Sequence, residues 1–199
     1  MGKTDLVSFG QIFEKKGTLS LIEAEPSEEK TGFGFSLLHS STSNGKSGTY
    51  IILEQKGTRI LSRLVSLLHT MKLKDEELSP ISFWDMKAPL FSTVVFAIER
   101  RHQEGDADIV YIDYLNLIRP EGKELLSELK AIAIKFDIPI IGMVRIPIEN
   151  GEVNIDNPYI DNLYCLTMED RKARLIDLKG KKDMEFSYEP KTTGFKLGR

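Results

Sequence analysis

The eight residues from Ala24 to Thr31, Ala-Glu-Pro-Ser-Glu-Glu-Lys-Thr, end in a lysine next to a hydroxyl. A phosphate-binding loop uses that pairing: the ammonium meets the β and γ oxygens, the hydroxyl meets magnesium, and glycines let backbone N–H groups wrap the anion. Both glycine positions of the pattern are replaced here, by Ala24 and Glu29, so the segment alone also reads as an acidic turn containing a lysine. Two further segments carry similar letters. Gly2-Lys3-Thr4 has no strand before it, and Gly45-Lys46-Ser47 precedes a strand instead of opening a helix, so neither has the strand-then-helix context that the chemistry needs.

Two acids extend the set. Ile109 to Tyr114 is an apolar run ending at Asp113, a layout that sets a carboxylate at the C-terminal edge of a parallel sheet, beside magnesium; a strand-end cap is the plain alternative. Glu54 closes the run Tyr50 to Leu53, where a carboxylate could polarise an attacking water. The histidines His39, His69 and His102 are scattered without ligand spacing, and the single Cys165 allows neither an intramolecular disulfide nor a cysteine metal cluster. Cys165 is expected to be a buried core thiol, and Phe83 with Trp84 to anchor a core rather than to stack a base.

The elements that must position these residues follow from periodicity. Short apolar runs at Thr18–Ala24, Tyr50–Leu53, Ile109–Ile112, Ile138–Met143 and Leu163–Met168 predict strands covered on both faces. They alternate with helical stripes at Gly32–Leu38, Ile60–Met71 and Lys123–Phe136, the pattern of βαβ units on a mostly parallel sheet flanked by helices. Arg174–Leu178 and Met184–Tyr188, joined across Gly180-Lys181-Lys182-Asp183, predict a closing C-terminal β-hairpin. Ser40–Gly48 and Arg145–Pro158 read as loops. The 199 residues suit a single domain across 1–199, and no repeat or linker divides them.

In that order the motifs resemble the C-terminal ATPase domain of DnaB-type replicative helicases. Gly17–Thr31 is similar to that family's strand and Ala-Arg-Pro-Ser-Met-Gly-Lys-Thr loop, Ile51–Gln55 to its Ser-Leu-Glu-Met segment, and Ile112–Ile118 to its Ile-Asp-Tyr-Leu-Gln-Leu signature. Leu125–Val144, Asp161–Asp170 and Leu178–Phe195 continue the likeness through the helix and strand before Ser-Gln-Leu, the Asp-Ala-Asp-Val strand and the Lys-x-Arg-x-Gly hairpin. The resemblance implies an α/β, RecA-like P-loop NTPase fold, with ATP and magnesium as cofactors if the site is active and none otherwise. It implies nucleotide contacts at Ser27, Glu29, Lys30 and Thr31, magnesium held by Thr31 and Asp113, and catalysis by Glu54 and Asp113. Arg145 would stand at the switch position, and Lys179 and Lys181 on a hairpin acting on a neighbouring subunit. The family's N-terminal primase-contacting domain has no counterpart in this reading.

The departures define two functional readings. Glu28 and Glu29 replace Met-Gly, Arg145 replaces the switch glutamine, Asp183 takes the hairpin glycine, and a lysine replaces an arginine whose planar fork it cannot reproduce. The loop from Arg145 to Asp161 carries Glu149, Glu152 and Asp156, and the net charge of −3 supplies no basic field, so single-stranded DNA affinity is expected to be weak. One reading is a DnaB-like motor domain, ATP-dependent in DNA unwinding, with impaired ATP binding. The other is a non-catalytic RecA-like module serving assembly, regulation or scaffolding, with a homo-oligomer or a helicase as partner. A small-molecule kinase ranks below both, because only Arg171, Lys172 and Arg174 offer a basic lid. No signal-peptide core and no membrane-length apolar run is present, which predicts a cytoplasmic protein with no membrane partner.

Overall fold

A computed structural model describes residues 12–24, 28–42, 45–53, 75–86, 89–118, 125–144, 156–169, 172–180, 184–189 and 194–197. Strands β1 (Leu19–Glu23), β2 (Gly48–Leu53), β3 (Ile81–Met86), β4 (Ile109–Ile112), β5 (Ile140–Val144), β6 (Asn162–Glu169), β7 (Lys172–Asp177), β8 (Met184–Glu189) and β9 (Gly194–Leu197) form one sheet. The helices are α1 (Glu28–Thr42), α2 (Asp75–Leu78), α3 (Phe91–Gln103) and α4 (Leu125–Phe136). Strand order is β3-β2-β4-β5-β1-β6-β7-β8-β9. The six strands from β3 to β6 are parallel, and β7, β8 and β9 add an antiparallel meander.

The apolar continuity of the central strands has the expected cause: β2, β4 and β5 are buried at every position. Because side chains alternate across a strand, the sheet divides its core in two. Helix α1 covers one face with Phe33, Phe35 and Leu37, against Ile22, Tyr50, Tyr111 and Met143. Helices α3 and α4 cover the other with Val94, Ile98, Leu129 and Ile132, against Leu21, Ile51, Val110 and Ile112.

At the N-terminal edge of the parallel strands, Asp161 ties three elements together. Its Oδ2 accepts from Lys130 Nζ of α4 at 2.6 Å and from the Leu19 N–H of β1 at 2.7 Å, while Lys130 also donates to the Gly17 carbonyl at 2.8 Å. A half-buried carboxylate with two donors fixes where β6 enters beside β1.

Several expectations need correction. The loop expected from Ser40 begins later, because α1 runs to Thr42. Ser41 Oγ donates to the Leu37 carbonyl at 3.2 Å and Thr42 Oγ1 to the His39 carbonyl at 3.1 Å, so their hydroxyls are satisfied inside the helix instead of breaking it. Periodicity alone marks neither strand β3 nor helix α3. Ser82 and Asp85 interrupt the apolar run of β3, and Thr93, Val94 and Val95 give α3 a strand-like composition. The C-terminal hairpin is part of a longer meander: β7 pairs with β8, but also with β6, and β9 follows. Cys165 is half-buried, not enclosed, on the strand that joins the parallel and antiparallel regions. The stripe Ile60–Met71 lies outside the described residues. Phe83 does pack in the α1-side core, its ring stacked 6.3 Å from Phe35, and Trp84 on the opposite face lies under the Arg101 guanidinium at 5.1 Å. No helix among the described residues is long and apolar enough to cross a membrane.

Candidate nucleotide site

Parallel pairing brings the candidate residues to one edge. Ala24 follows β1 and its N–H donates to the Val144 carbonyl at 2.9 Å; Asp113 follows β4 and its N–H donates to the Ile51 carbonyl at 2.9 Å. Leu53 ends β2, so Ala24, Leu53, Asp113 and Val144 all stand at the C-terminal edge of the sheet. Helix α1 begins at Glu28, four residues after Ala24, and its N-terminus therefore opens at the same edge. That is the strand-then-helix arrangement in which unpaired helix N–H groups and the positive end of the macrodipole meet an anion.

The composition of that helix start opposes the anion. Glu28 and Glu29 occupy the first turn of α1, immediately before Lys30. Acids in this position complement the macrodipole themselves, with about 0.3–1 kcal/mol each at an exposed site. Glu23, the last residue of β1, is a carboxyl that partial burial raises above its ordinary range; strand alternation sets it with Leu19 and Leu21 on the face covered by α3 and α4, away from α1.

Thr31 and Asp113 supply oxygen donors, the type magnesium takes when phosphates complete its shell. The donor set fits the ion in kind, yet both residues are closed in: Asp113 is 0% exposed and Thr31 5%. Tyr50 and Tyr111 lie beside Asp113 on the α1 face. Burial first, and then the Asp113 carboxylate, pushes both phenols far above the normal tyrosine range. After Asp113 the chain turns sharply through Tyr114, whose φ of 54° is uncommon for a bulky residue. This left-handed residue carries the chain from β4 into the 3-10 turn Leu115–Leu117 and leaves Asp113 at the strand end.

Other sequence candidates fall elsewhere. Lys179 follows β7, and the pairing of Asp177 with Tyr164 and of Leu178 N–H with the Leu163 carbonyl puts it near the start of β6. That is the sheet edge opposite Asp113. There the Lys179 ammonium donates to the Ile160 carbonyl, and Gly180 turns with φ of 76°. Lys179 therefore stands away from its own chain's candidate phosphate site. The segment Gly45-Lys46-Ser47 makes structural contacts: Lys46 pairs with Glu14 at 2.5 Å, and Ser47 Oγ donates to the Gly105 carbonyl at 2.8 Å. Ser27, Glu54, Arg145 and Lys181 lie outside the described residues, as do Gly2, Lys3 and Thr4. Among the described residues no group of three or more acidic, histidine or cysteine side chains could hold a metal by itself.

No protein-family model and no curated protein matches the sequence. Solved structures do. The chain is similar to a DnaB-like replicative helicase described with its interactions with primase, at TM-score 0.68 and 15% identity over 91% of this chain; it spans 57% of that helicase's length. It is similar to a second solved protein, described as an ATPase domain, at TM-score 0.70 and 16% identity, over 97% of this chain and 90% of that one. It is also similar to the KaiC-like protein PH0186 from Pyrococcus horikoshii OT3, at TM-score 0.69 and 16% identity over 95% and 94% of the two chains. With its parallel sheet, its helix opening after β1 and its strand-end acid, the chain has the RecA-like fold of DnaB-type helicase ATPase domains.

Proposed function

We propose that residues 1–199 form one DnaB-like helicase motor module, of the class that couples ATP to DNA unwinding, in which nucleotide binding is impaired. The observation that carries this reading is the helix α1 itself: it opens at the edge that also holds Asp113, and it does so with Glu28 and Glu29 in its first turn. In this reading the strand-then-helix order would form the phosphate site, and the two acids at the helix start would oppose the anion there. In this reading Lys30, with Ser27 and the Glu29 backbone, would face the phosphates. Thr31 and Asp113 would hold magnesium, and Glu54 would orient water. Bound magnesium-ATP supplies the phosphoryl-transfer chemistry.

The burial of Thr31 and Asp113 favours a second reading, a non-catalytic module that retains the fold for assembly with further copies or with an active helicase. In that case the Lys179 turn is a contact surface and not a source of transition-state charge. Calorimetric titration of the protein with magnesium-ATP separates the two. A weak, saturable isotherm supports the impaired motor; no heat in the wild type and none in a variant with Glu28 and Glu29 replaced supports the non-catalytic module. Tight binding by the wild type refutes impairment.

A further inference from the structure

Helix α1 and strand β4 meet through a size-matched pair. A Cβ at Gly34 would overlap Cζ, Oη and Cε1 of Tyr111, far inside the 3.4–4 Å of ordinary contact. Glycine at this position thus lets α1 approach β4 more closely than any other residue could. Tyr111 is fully buried, its ring centroid is 4.8 Å from that of Tyr50, and Tyr50 in turn lies 6.0 Å from Phe83. Phe83 stacks on Phe35 of α1, so a series of rings runs from β4 through β2 and β3 back to the helix. Thr31 lies about one helical turn before Gly34, and Asp113 lies two residues beyond Tyr111, just past the end of β4. The pair therefore sits one layer below the two candidate magnesium residues.

We propose that the Tyr111–Gly34 contact is an autoinhibitory interlock that draws α1 against β4 and keeps Thr31 and Asp113 closed to a divalent cation. The inference rests on the reading of those two residues as the magnesium pair. Interiors are close-packed, so a single Cβ added at Gly34 requires the helix and the Tyr111 ring tip to separate by on the order of 1 Å. The hydroxyls of Tyr50 and Tyr111 are buried without a hydrogen-bond partner among the described residues, an arrangement that costs free energy and persists because the packing around it enforces it.

The test breaks the contact in two independent ways, by Gly34→Ala, which forces α1 and the Tyr111 ring apart, and by Tyr111→Leu, which only deletes atoms. Terbium, a hard oxygen-seeking cation, serves as the metal probe, with luminescence excited through the remaining tyrosines; hydrogen exchange is followed at residues 31–36. Each variant that retains a cooperative melt should show a several-fold gain in terbium luminescence over the wild type and faster exchange in α1. The gain should vanish when Asp113→Asn is added. If Gly34→Ala does not fold, Tyr111→Leu decides. Wild-type luminescence in a folded variant, or a gain that survives Asp113→Asn, overturns the interlock. Faster exchange without an Asp113-dependent gain overturns it as well, since the contact would then be structural only. The functional reading is tested apart from this, by nucleotide titration of the Glu28 and Glu29 variant with Gly34 and Tyr111 intact.

Discussion

Replacing Glu28 by Met and Glu29 by Gly should improve magnesium-ATP binding by at least about tenfold, and the size of the effect follows from where α1 begins. The helix starts at Glu28, so both acids lie within one turn of Lys30 and Thr31. A carboxylate and a phosphate charge about 6 Å apart, at an effective dielectric near 20, repel by about 3 kcal/mol. If solvent and salt screen half of that for each residue, about 1.4 kcal/mol remains per acid, and each such increment is tenfold in affinity. Glycine at position 29 also restores the backbone freedom that close wrapping of phosphate requires. An opposing cost is the loss of two acids from the helix N-terminus, about 0.3–1 kcal/mol each. The double variant should therefore melt slightly below the wild type while binding better. Titration of both proteins by calorimetry, alongside thermal melts, measures the two effects separately. The reasoning fails if the wild type already binds magnesium-ATP at micromolar level, or if the double variant folds normally and binds no better.

Alkaline pH should destabilise the fold more steeply than it would a protein with exposed tyrosines. In the unfolded chain the phenols of Tyr50 and Tyr111 ionise near 10, whereas in the folded protein burial and Asp113 keep them protonated well above that. Their contribution is thus complete below about pH 10 and declines as pH rises beyond it, by about 1.4 kcal/mol per pH unit for each phenol. Urea melts between pH 9 and 11 should show this decline, and the Tyr50→Phe, Tyr111→Phe variant should flatten it; an equally steep decline in the variant would exclude the two phenols as its source. Asp161→Ala should cost about 2 kcal/mol in a denaturant melt, because it strands the Leu19 N–H and takes the carboxylate partner from Lys130, which keeps only the Gly17 carbonyl. Lys130→Met should cost less, since Asp161 keeps the Leu19 amide; a larger loss for Lys130→Met would contradict the proposed order. Fluorescence anisotropy with a single-stranded oligonucleotide should show weak affinity at physiological salt, in keeping with the net charge of −3, and tight, steeply salt-dependent binding would refute it.

The sequence by itself determined the parallel core and the identity of the candidate acids. A strand buried on both faces must be apolar throughout, so Tyr50–Leu53, Ile109–Ile112 and, within two residues of its observed bounds, Ile138–Met143 could be read directly, and an acid that ends such a run, Asp113, stands out by chemistry alone. Elements whose composition is ambiguous were not legible in this way. Strand β3 mixes polar with apolar residues, α3 is rich in β-branched residues, and Ser40–Thr42 carries loop letters that the helix satisfies internally. Only the tertiary structure decided the relations between distant segments. That Lys179 lies at the edge opposite Asp113 depends on the antiparallel register of β7 on β6. That Gly34 makes room for Tyr111, far from it along the chain, depends on how closely α1 packs on β4. Periodicity reports which face of an element is buried, because burial is a property each residue carries in its own side chain. It cannot report which buried residues from different elements share one volume, because that is set by packing and register once the chain has closed on itself.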